Sequence, residues 1–308
     1  MNDQSENLIS KRKKIKIIHL LIIISSIPRI FLAVIYFKIN LHTNYFFYFL
    51  IEFALFLLLS IIIFLFSSYQ ELNHYLIGLL LSNIFSFSFS MIFFTSSKYY
   101  PLYIYFITLC IYHYTEFFSV LLYHFEQLSC EYFLIDQSKG WILATLISFL
   151  ETILGIYFFD EYKKIKIFFI LGLLMTIIGQ YFRIGALFTG KRNFTHRIRY
   201  DKVREHRLIT NGVFAISRHP SYFGFYLWSV GIEIMCCNPI CTVAFAVVLF
   251  NFFKNRILIE EQLLIQFFGE EYLEYKKKVG ILIPFIHLEK EKEEKSLKIY
   301  RSKESNNK

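Results

Sequence analysis

The sequence has 308 residues, of which 56% are hydrophobic, 20% aromatic and 19% charged, and its mean hydropathy is +0.46. This composition excludes an ordinary soluble globular domain, which would carry more charge and far less phenylalanine. The formal net charge of +9 is concentrated in a few loops, as the positive-inside rule of membrane proteins predicts; it leaves attraction to anionic lipid headgroups open and gives no support for nucleic-acid binding.

Apolar runs long enough to cross about 30 Å of hydrocarbon predict an all-α polytopic membrane protein with about eight transmembrane helices. The first run continues past twenty residues without a small-residue cleavage site, so we interpret it as a retained span and not as a signal peptide. The last two runs are short and share the turn Cys237–Pro239, which predicts a tight helical hairpin. The predicted spans are 15–37, 44–67, 73–95, 101–124, 141–159, 166–188, 223–236 and 240–254.

These spans divide the chain into four parts. A basic N-terminus covers 1–14 and a six-span region covers 15–188. The basic loop, the hairpin and a C-terminal helix cover 189–286, and we predict that this part holds the functional site. The tail, 287–308, has mixed charge and few apolar residues; it is either a solvated helix or disordered, and we favour disorder beyond about residue 296.

Loop charge predicts the orientation. The segment Lys11–Lys14 is basic, and the loop 189–222 holds eight Lys and Arg residues, so both termini and this loop are predicted to be cytosolic. Lys163, Lys164 and Lys166 would then face the lumen, which is contrary to the positive-inside rule that most of the other basic residues follow. The sequon at Asn193 is placed in the cytosol, and a glycan found there would overturn the orientation.

Ionisable residues inside predicted spans are costly and mark positions that face protein, a cavity or an interface. Arg29, Glu151 and Glu233 lie near span ends, where a side chain can reach the interface. Glu116 and Arg183 lie deeper, so we expect both to face protein or a cavity. Arg183 is two turns before the basic loop and could point into the same site.

The five cysteines show no metal-binding spacing, so we assign neither a metal site nor a disulfide framework. Arg256 and Glu260 are spaced i, i+4 and share a helix face, which by itself fits a surface salt bridge as well as a site. Their position, on a helix that begins at the membrane face and must cover the polar loop, favours a site.

His219-Pro220-Ser221-Tyr222 closes the basic loop and begins the seventh predicted span. Proline suits the first turn of a helix, and the flanking aromatic residues fit an interfacial belt, so a structural role is one interpretation. A ligand-facing role for His219 is the other.

Four stretches carry a family resemblance. They are YHYTEFFSVLLYHFEQLSCEYFLIDQS at 112–138, GQYFRIGALFTGKRNFTH at 179–196, HRLITNGVFAISRHPSYFGFYLWSVGIEIMCCNPIC at 206–241, and FFKNRILIEEQLLIQFFGEEYLEYKKKV at 252–279, followed by Pro284-Phe285-Ile286. Together they resemble the isoprenylcysteine carboxyl methyltransferase family. RHPSY alone is weak, since other membrane methyltransferases and sterol reductases carry similar strings, but the combination with CNPIC and FFGEEYLEY is specific.

The resemblance implies methyl transfer from S-adenosylmethionine to the C-terminal prenylated cysteine of processed CaaX proteins of the small-GTPase kind, in the endoplasmic reticulum membrane, with no metal. It also implies roles. Arg256 would hold the substrate carboxylate and be catalytic. From its position before the basic loop, and not from the resemblance, we also predict that Arg183 helps to bind the substrate. The cofactor would be bound by His206, Arg207, Leu208, Ile209, Phe214, His219, Pro220, Ser221, Tyr222 and Glu260.

Two positions depart from the family pattern. Phe214 stands where the family has tyrosine, which keeps the ring and loses a hydroxyl. Arg199 stands where the family has an amide, so no role is assigned to it. Two rival functions stay open from sequence: a sterol-reductase-like enzyme that uses NADPH, and a polytopic transporter.

Overall fold

The computed structural model describes residues 2–38, 45–66, 69–135, 138–159, 166–202, 206–286 and 289–306. These residues form helices joined by turns, with no strand in the described ranges. The chain divides into two units, 1–166 and 167–308. Lys163, Lys164 and Arg204, which contributed to the predicted loop charges, lie outside the described residues.

In its described residues the first unit contains six α-helices: α1 (Asn2–Ile24), α2 (Ser26–Lys38), α3 (Tyr45–Phe66), α4 (Tyr69–Phe94), α5 (Tyr100–Tyr123) and α6 (Lys139–Phe158). The predicted first span, 15–37, is divided at Ser25 into α1 and α2. Pro28 has no N–H to bond the carbonyl of Ile24, and the hydroxyls of Ser25 and Ser26 instead donate to the carbonyls of Ile22 and Ile23, both at 2.6 Å. Such bonds compete with the helix ladder and bend it.

In the core of the first unit, helix α5 packs against the turn that follows it; both belong to the stretch 112–138 that carries part of the family resemblance. The rings of Phe117 in α5 and Phe133 in the following turn stack with their centroids 4.0 Å apart. His113 Nδ1 lies 2.6 Å from the carbonyl oxygen of Phe133. The turn after α5 is therefore held against α5 itself.

The second unit contains α7 (Lys166–Gly190), α8 (Pro220–Met235), α9 (Pro239–Phe268), α10 (Glu270–Lys278) and α11 (Lys290–Asn306). The basic loop 191–219 runs between α7 and α8. Helix α7, which the sequence grouped with the first six spans, belongs to this unit.

Within the described residues, five helices are long and apolar enough to cross a membrane, namely α4 to α7 and α9, and a shorter apolar stretch covers Leu50–Leu65 in α3. The all-helical polytopic fold is confirmed, while the predicted number of eight spans stays a prediction. The predicted hairpin forms, and its second arm continues as a helix well past the predicted end of the span at residue 254. Residues 239–268 contain neither glycine nor proline after Pro239, so the span and the helix that carries Arg256 are one continuous rod, which ends at Gly269 with φ +54°.

Two side chains expected to reach the interface are instead buried in protein. Arg29 lies 3.5 Å from Glu52 and also donates to Asn83. Glu233 accepts a 2.8 Å hydrogen bond from the amide of Asn238. In both cases an internal partner satisfies the charge, so the expectation was wrong. The expectation that Glu116 and Arg183 face protein is confirmed, since both are buried.

The tail, predicted to be either a solvated helix or disordered, contains a helix in the described residues. Residues 290–306 form α11, in which Ser296 is buried and Leu297 packs on the aromatic cluster at the end of α9. Lys276 pairs with Glu293 across this contact. This segment, whose composition suggested only solvent exposure, is thus docked by Leu297, by the ring of Tyr300 against Gly269 and by two ion pairs, the second of which joins Arg301 and Glu270 at 2.8 Å.

Candidate functional site

The site is positioned by close packing of α7 against α8 through glycines spaced seven residues apart on each helix. A Cβ on Gly179 would lie 2.6 Å from the carbonyl oxygen of Gly224, and one on Gly231 would lie 2.8 Å from the amide nitrogen of Thr176. Gly172 completes the pattern, since a Cβ there would lie 2.5 Å from the carbonyl oxygen of Gly231. Small residues let membrane helices approach backbone to backbone.

This contact brings Arg183 of α7 to the start of α8. Its Nη1 donates to the hydroxyl of Ser221 at 2.5 Å, and its guanidinium lies 5.8 Å from the ring centres of Phe194 and Phe225. The side chain is buried. Arg183 therefore contacts Ser221 as the sequence suggested, from within the protein.

His219 caps α8, and Pro220 occupies the first helical position. The His219 ring stacks on Tyr222 with an interplanar angle of 9°, and Tyr222 in turn stacks on Phe253 of α9. The two ring nitrogens of His219 face two different carboxylates. Nε2 lies 2.8 Å from Oε1 of Glu261, and Nδ1 lies 3.6 Å from Oε2 of Glu260.

Glu261 is the centre of a buried polar network. Its side chain is 1% exposed, and its carboxylate accepts two hydrogen bonds from Arg218, at 3.0 and 3.2 Å. The hydroxyl of Tyr272 donates to the same carboxylate at 2.5 Å. Arg218 also donates to the carbonyl of Val279 and, at 3.3 Å, to that of Lys276. The network ties the basic loop to α9 and α10.

The protonation states of this network follow from its geometry. Burial alone would lower the pKa of His219, but hydrogen bonds and charges from Glu260 and Glu261 outweigh it and raise the pKa to about 9. Burial, together with the Glu261 charge, raises the pKa of Tyr272 well above its usual value. At neutral pH His219 is therefore an imidazolium and Tyr272 a hydrogen-bond donor.

Arg256 and Glu260 share one face of α9, as their spacing predicted, yet no ion pair in the described part of the chain joins them directly. The hydroxyl of Tyr222 lies between: it donates to Glu260 and accepts from Nε of Arg256 at 3.2 Å. Arg256 also donates to the carbonyl of His196 at 3.0 Å. Arg256 is partly exposed and Glu260 keeps 24% of its side chain exposed, so both can reach a ligand.

The segment His206–Ile209 lies farther along α9. His206 packs edge-on against Phe267 and Phe268, and Leu208 packs on the same cluster. Because Phe267 is seven residues beyond Glu260, these contacts lie about 10 Å along the helix from it. The exposed Arg207 donates its backbone N–H to Oδ1 of Asn193 at 2.9 Å.

The imidazole of His206 is half-buried, and its Nδ1 has no hydrogen-bond partner among the described residues. Burial, followed by the charges of Arg199 and Lys202, lowers its pKa, so the ring is neutral near pH 7. The carbonyl of Phe214 accepts from Tyr275, and the Phe214 ring packs with Phe182, Ala186 and Val213.

Glu261 was not among the site residues predicted from the sequence. Its position carries a usable pattern, because Ile257, Glu261 and Ile265 form an i, i+4, i+8 stripe in which all three side chains are buried. A carboxylate in the buried stripe of a helix requires a cation, and Arg218 in ISRHPSY supplies it. Among the described residues no group of three or more His, Cys, Asp or Glu side chains could hold a metal ion.

The arrangement presents the cation of Arg256 and the carboxylate of Glu260 on either side of the Tyr222 hydroxyl, with the His219 imidazolium stacked on the Tyr222 ring. Arg256 can bind an anionic group through its guanidinium, and Glu260 can bind a cationic one. The site is therefore suited to bringing an anion and a cation into contact at the membrane face.

Comparison with known proteins gives a consistent result. The model of the isoprenylcysteine carboxyl methyltransferase (ICMT) family matches residues 171–266. The human protein-S-isoprenylcysteine O-methyltransferase is 43% identical over 182 residues, which are 59% of this chain and 64% of that protein. The aligned part thus spans just under two thirds of the human relative. Enzymes of the same name from Dictyostelium discoideum (41% identical, 60% of this chain, 77% of that one) and Saccharomyces cerevisiae (38%, 58% and 78%) are covered more fully.

A solved structure is also similar. The eukaryotic intramembrane Ras methyltransferase ICMT superposes with a TM-score of 0.76 at 29% identity, covering 87% of this chain and 96% of that chain. The comparisons give no support to a sterol reductase or to a transporter.

Proposed function

The chain belongs to the isoprenylcysteine carboxyl methyltransferase family, and on that premise we propose that it transfers a methyl group from S-adenosylmethionine to the C-terminal carboxylate of a prenylated cysteine, forming a methyl ester. The observation that supports this most directly is the group of Arg256, Tyr222 and Glu260, which places a carboxylate-binding cation next to a cation-binding carboxylate.

The chemistry requires no general base from the chain. A C-terminal α-carboxylate has a pKa of about 3.5, so the nucleophile is already ionised at neutral pH. The co-substrate supplies an electrophilic methyl group on a sulfonium. What remains for the protein is to bring the anion and the methyl together in line, with water excluded.

Arg256 is the residue we assign to the substrate carboxylate, and we assign Arg183 a supporting role in binding the substrate. The fork of a guanidinium can hold one carboxylate oxygen and leave the other free to attack. The hydrogen bonds of Arg256 to Tyr222 and to the His196 carbonyl fix that fork before any ligand binds. Preorganisation of this kind lowers the entropy that binding must overcome.

Glu260 and the segments 206–209 and 219–222 are the residues we assign to S-adenosylmethionine, together with Phe214. The partly exposed carboxylate of Glu260 suits the ammonium group of the amino acid. The buried Nδ1 of His206, which lacks a partner among the described residues, offers a polar contact that a ligand would complete. These donors and acceptors fit the group chemically.

The lipid substrate gives a reason for the membrane location. Burying a farnesyl chain at about 0.8 kcal/mol per methylene is worth on the order of 10 kcal/mol. We propose that the prenyl chain enters from the bilayer and S-adenosylmethionine from the cytosol, with both termini cytosolic. We further propose that the enzyme lies in the endoplasmic reticulum membrane and acts on processed CaaX proteins of the small-GTPase kind.

The test is to incubate membranes that contain the protein with S-adenosylmethionine labelled in its methyl group and with N-acetyl-S-farnesylcysteine. The expected product is a base-labile methyl ester of the prenylated compound. N-acetylcysteine without the prenyl group and membranes with Arg256→Ala serve as matched controls, and both should stay unlabelled. Saturable S-adenosylmethionine binding with no ester on any prenylated substrate would refute the assigned substrate; absence of both would refute the activity.

A further inference from the structure

Two loops beside the site are joined into one surface. The backbone N–H of Arg218 donates to the carbonyl of Gly280 at 3.0 Å, and its guanidinium donates to the carbonyl of Val279. The hydroxyl of Tyr275 donates to the carbonyl of Phe214. The segments 212–218 and 279–286 are therefore held together as a loop pair next to the first turn of α8.

The loop pair exposes apolar side chains that the described fold does not cover. Phe285 is 82% exposed, Ile216 51% and Leu282 39%. In the same segment Ile283 and Ile286 are buried, and they fix the loop from the inside. The exposed side chains therefore project from a loop with internal contacts of its own.

Phe285 has a second unusual property, since its φ is 63°. A bulky residue other than glycine is rare in the left-handed region, because its Cβ crowds the backbone there. The chain thus accepts backbone strain at the residue whose ring is most exposed. Neither the strain nor the exposure is explained by the packing of the described residues.

The position of the loop pair along α8 and α9 indicates its depth relative to a bilayer, and therefore what covers it. Helices α8 and α9 start from the shared turn at Cys236–Asn238 and run in opposite chain directions. The 16 residues of α8 span about 24 Å. Glu261 lies 22 residues after Pro239, about 33 Å along α9. The hydrocarbon core of a bilayer is about 30 Å thick.

Arg218 binds Glu261, precedes the first turn of α8 and bonds to Gly280. With the Cys236–Asn238 turn at one face of the bilayer, the loop pair therefore lies at the other boundary between hydrocarbon and headgroups. Aromatic side chains are enriched at this depth, where an apolar ring can contact acyl chains. Lys278, exposed and next to Val279, adds a positive charge that suits anionic headgroups.

We propose that the loop pair is an interfacial lipid-binding surface, in which the ring of Phe285, with Leu282 and Ile216 beside it, inserts into the bilayer at the level of the headgroups and first methylenes. The partner is the lipid surface itself. The contact holds Gly280 and Arg218, and through Arg218 the carboxylate of Glu261, at a fixed depth. The three side chains that insert, those of Phe285, Leu282 and Ile216, are not among the residues assigned to methyl transfer, although Phe214 lies in the same loop, so the test does not depend on activity.

The experiment places a tryptophan at the loop tip. Phe285→Trp and, as a matched control, Glu274→Trp on the exposed face of α10 are each reconstituted in vesicles of phosphatidylcholine and phosphatidylserine; the two native tryptophans contribute equally to both variants. The added emission of Phe285→Trp should be quenched by lipids brominated near the headgroup end of the acyl chain and protected from aqueous iodide. Glu274→Trp should behave in the opposite way.

Leu282→Trp provides a second position that avoids the strained residue, and it should show the same shallow quenching. Equal quenching of all three variants by iodide would overturn the proposal and would leave the exposed ring for a protein partner. Strong quenching only by bromines near the bilayer centre would also overturn it, because it would place the loop inside a span.

Discussion

Replacing Glu261 by glutamine removes one negative charge from the buried network while keeping the shape of the side chain. The native carboxylate accepts from Arg218 at 3.0 and 3.2 Å, from His219 at 2.8 Å and from Tyr272 at 2.5 Å. A glutamine offers one oxygen and an NH2 group, so at least one donor of Arg218 would face another donor. The guanidinium, 7% exposed, would be left without its counter-charge.

The magnitude follows from this burial. Removing one partner of a buried ion pair costs about 3–5 kcal/mol, because the remaining charge stays desolvated. For chains of roughly this size 1 kcal/mol shifts the melting temperature by about 2–4 °C, so Glu261→Gln should lower it on the order of 10 °C. Glu260→Gln should cost less, because the Glu260 side chain is 24% exposed and its contact with the His219 ring, at 3.6 Å, is longer than the 2.8 Å contact of Glu261.

The assay is the melting temperature of the detergent-solubilised protein, followed by fluorescence-detected size-exclusion chromatography after heating. The two glutamates are neighbours in sequence, so the pair of variants controls for helix position and composition. If Glu261→Gln melts within about 2 °C of the native protein, or if Glu260→Gln is the less stable of the two, the assignment of Glu261 to structure and Glu260 to ligand binding is wrong.

Three further outcomes are expected. Because the pKa of His219 is raised from 6.5 to about 9, its contribution of about 3 kcal/mol is fully present below pH 6.5 and is lost as pH rises to 9; the melting temperature should fall across that window, and less so in His219→Gln. Arg256→Ala should reduce the rate of methyl transfer about 100-fold or more, while its affinity for S-adenosylmethionine stays within about twofold of native. Glu260→Ala should instead weaken that affinity by about 10-fold or more. Calorimetry measures the affinity of both variants, and the ester assay measures their activity. Gly179→Ala should destabilise the protein by about 1–3 kcal/mol, because the new Cβ meets the backbone of α8. Gly140→Ala is the control and should not destabilise it, because the nearest atom to a Cβ there is 3.8 Å away. Equal melting temperatures of the two variants would contradict the close contact between α7 and α8.

The sequence predicted the long helices well, because their apolar runs are bounded by polar residues and by proline. The predicted spans 44–67 and 101–124 correspond to Tyr45–Phe66 and Tyr100–Tyr123. It failed where hydropathy and helix geometry disagree. Hydropathy falls after Phe253, yet nothing stops the helix, so the helix continues beyond residue 254, where the predicted span ends. The docking of α11 depends on a few tertiary contacts that composition does not encode.

For the site, spacing and family resemblance together identified the residues that the structure brings into contact: Arg256, Tyr222, Glu260 and His219. The buried half of the site was missed because its partners are far apart in sequence. Arg218 and Glu261 are 43 residues apart, and neither position looks unusual until the fold pairs them. Their roles in the reaction stay predictions.

Helix α9 is one uninterrupted rod that is long and apolar enough to cross a membrane and carries the carboxylates of the site toward its C-terminal end. A rod does not stretch, so it adapts to a thinner or thicker membrane by tilting. A tilt of 20° would lower a point about 33 Å up the rod by roughly 2 Å relative to the lipid headgroups. The acyl-chain length of the surrounding lipid thus sets the depth of Glu260 and Arg256 relative to the headgroups. Hydrophobic mismatch between α9 and the bilayer would therefore change the position of the site.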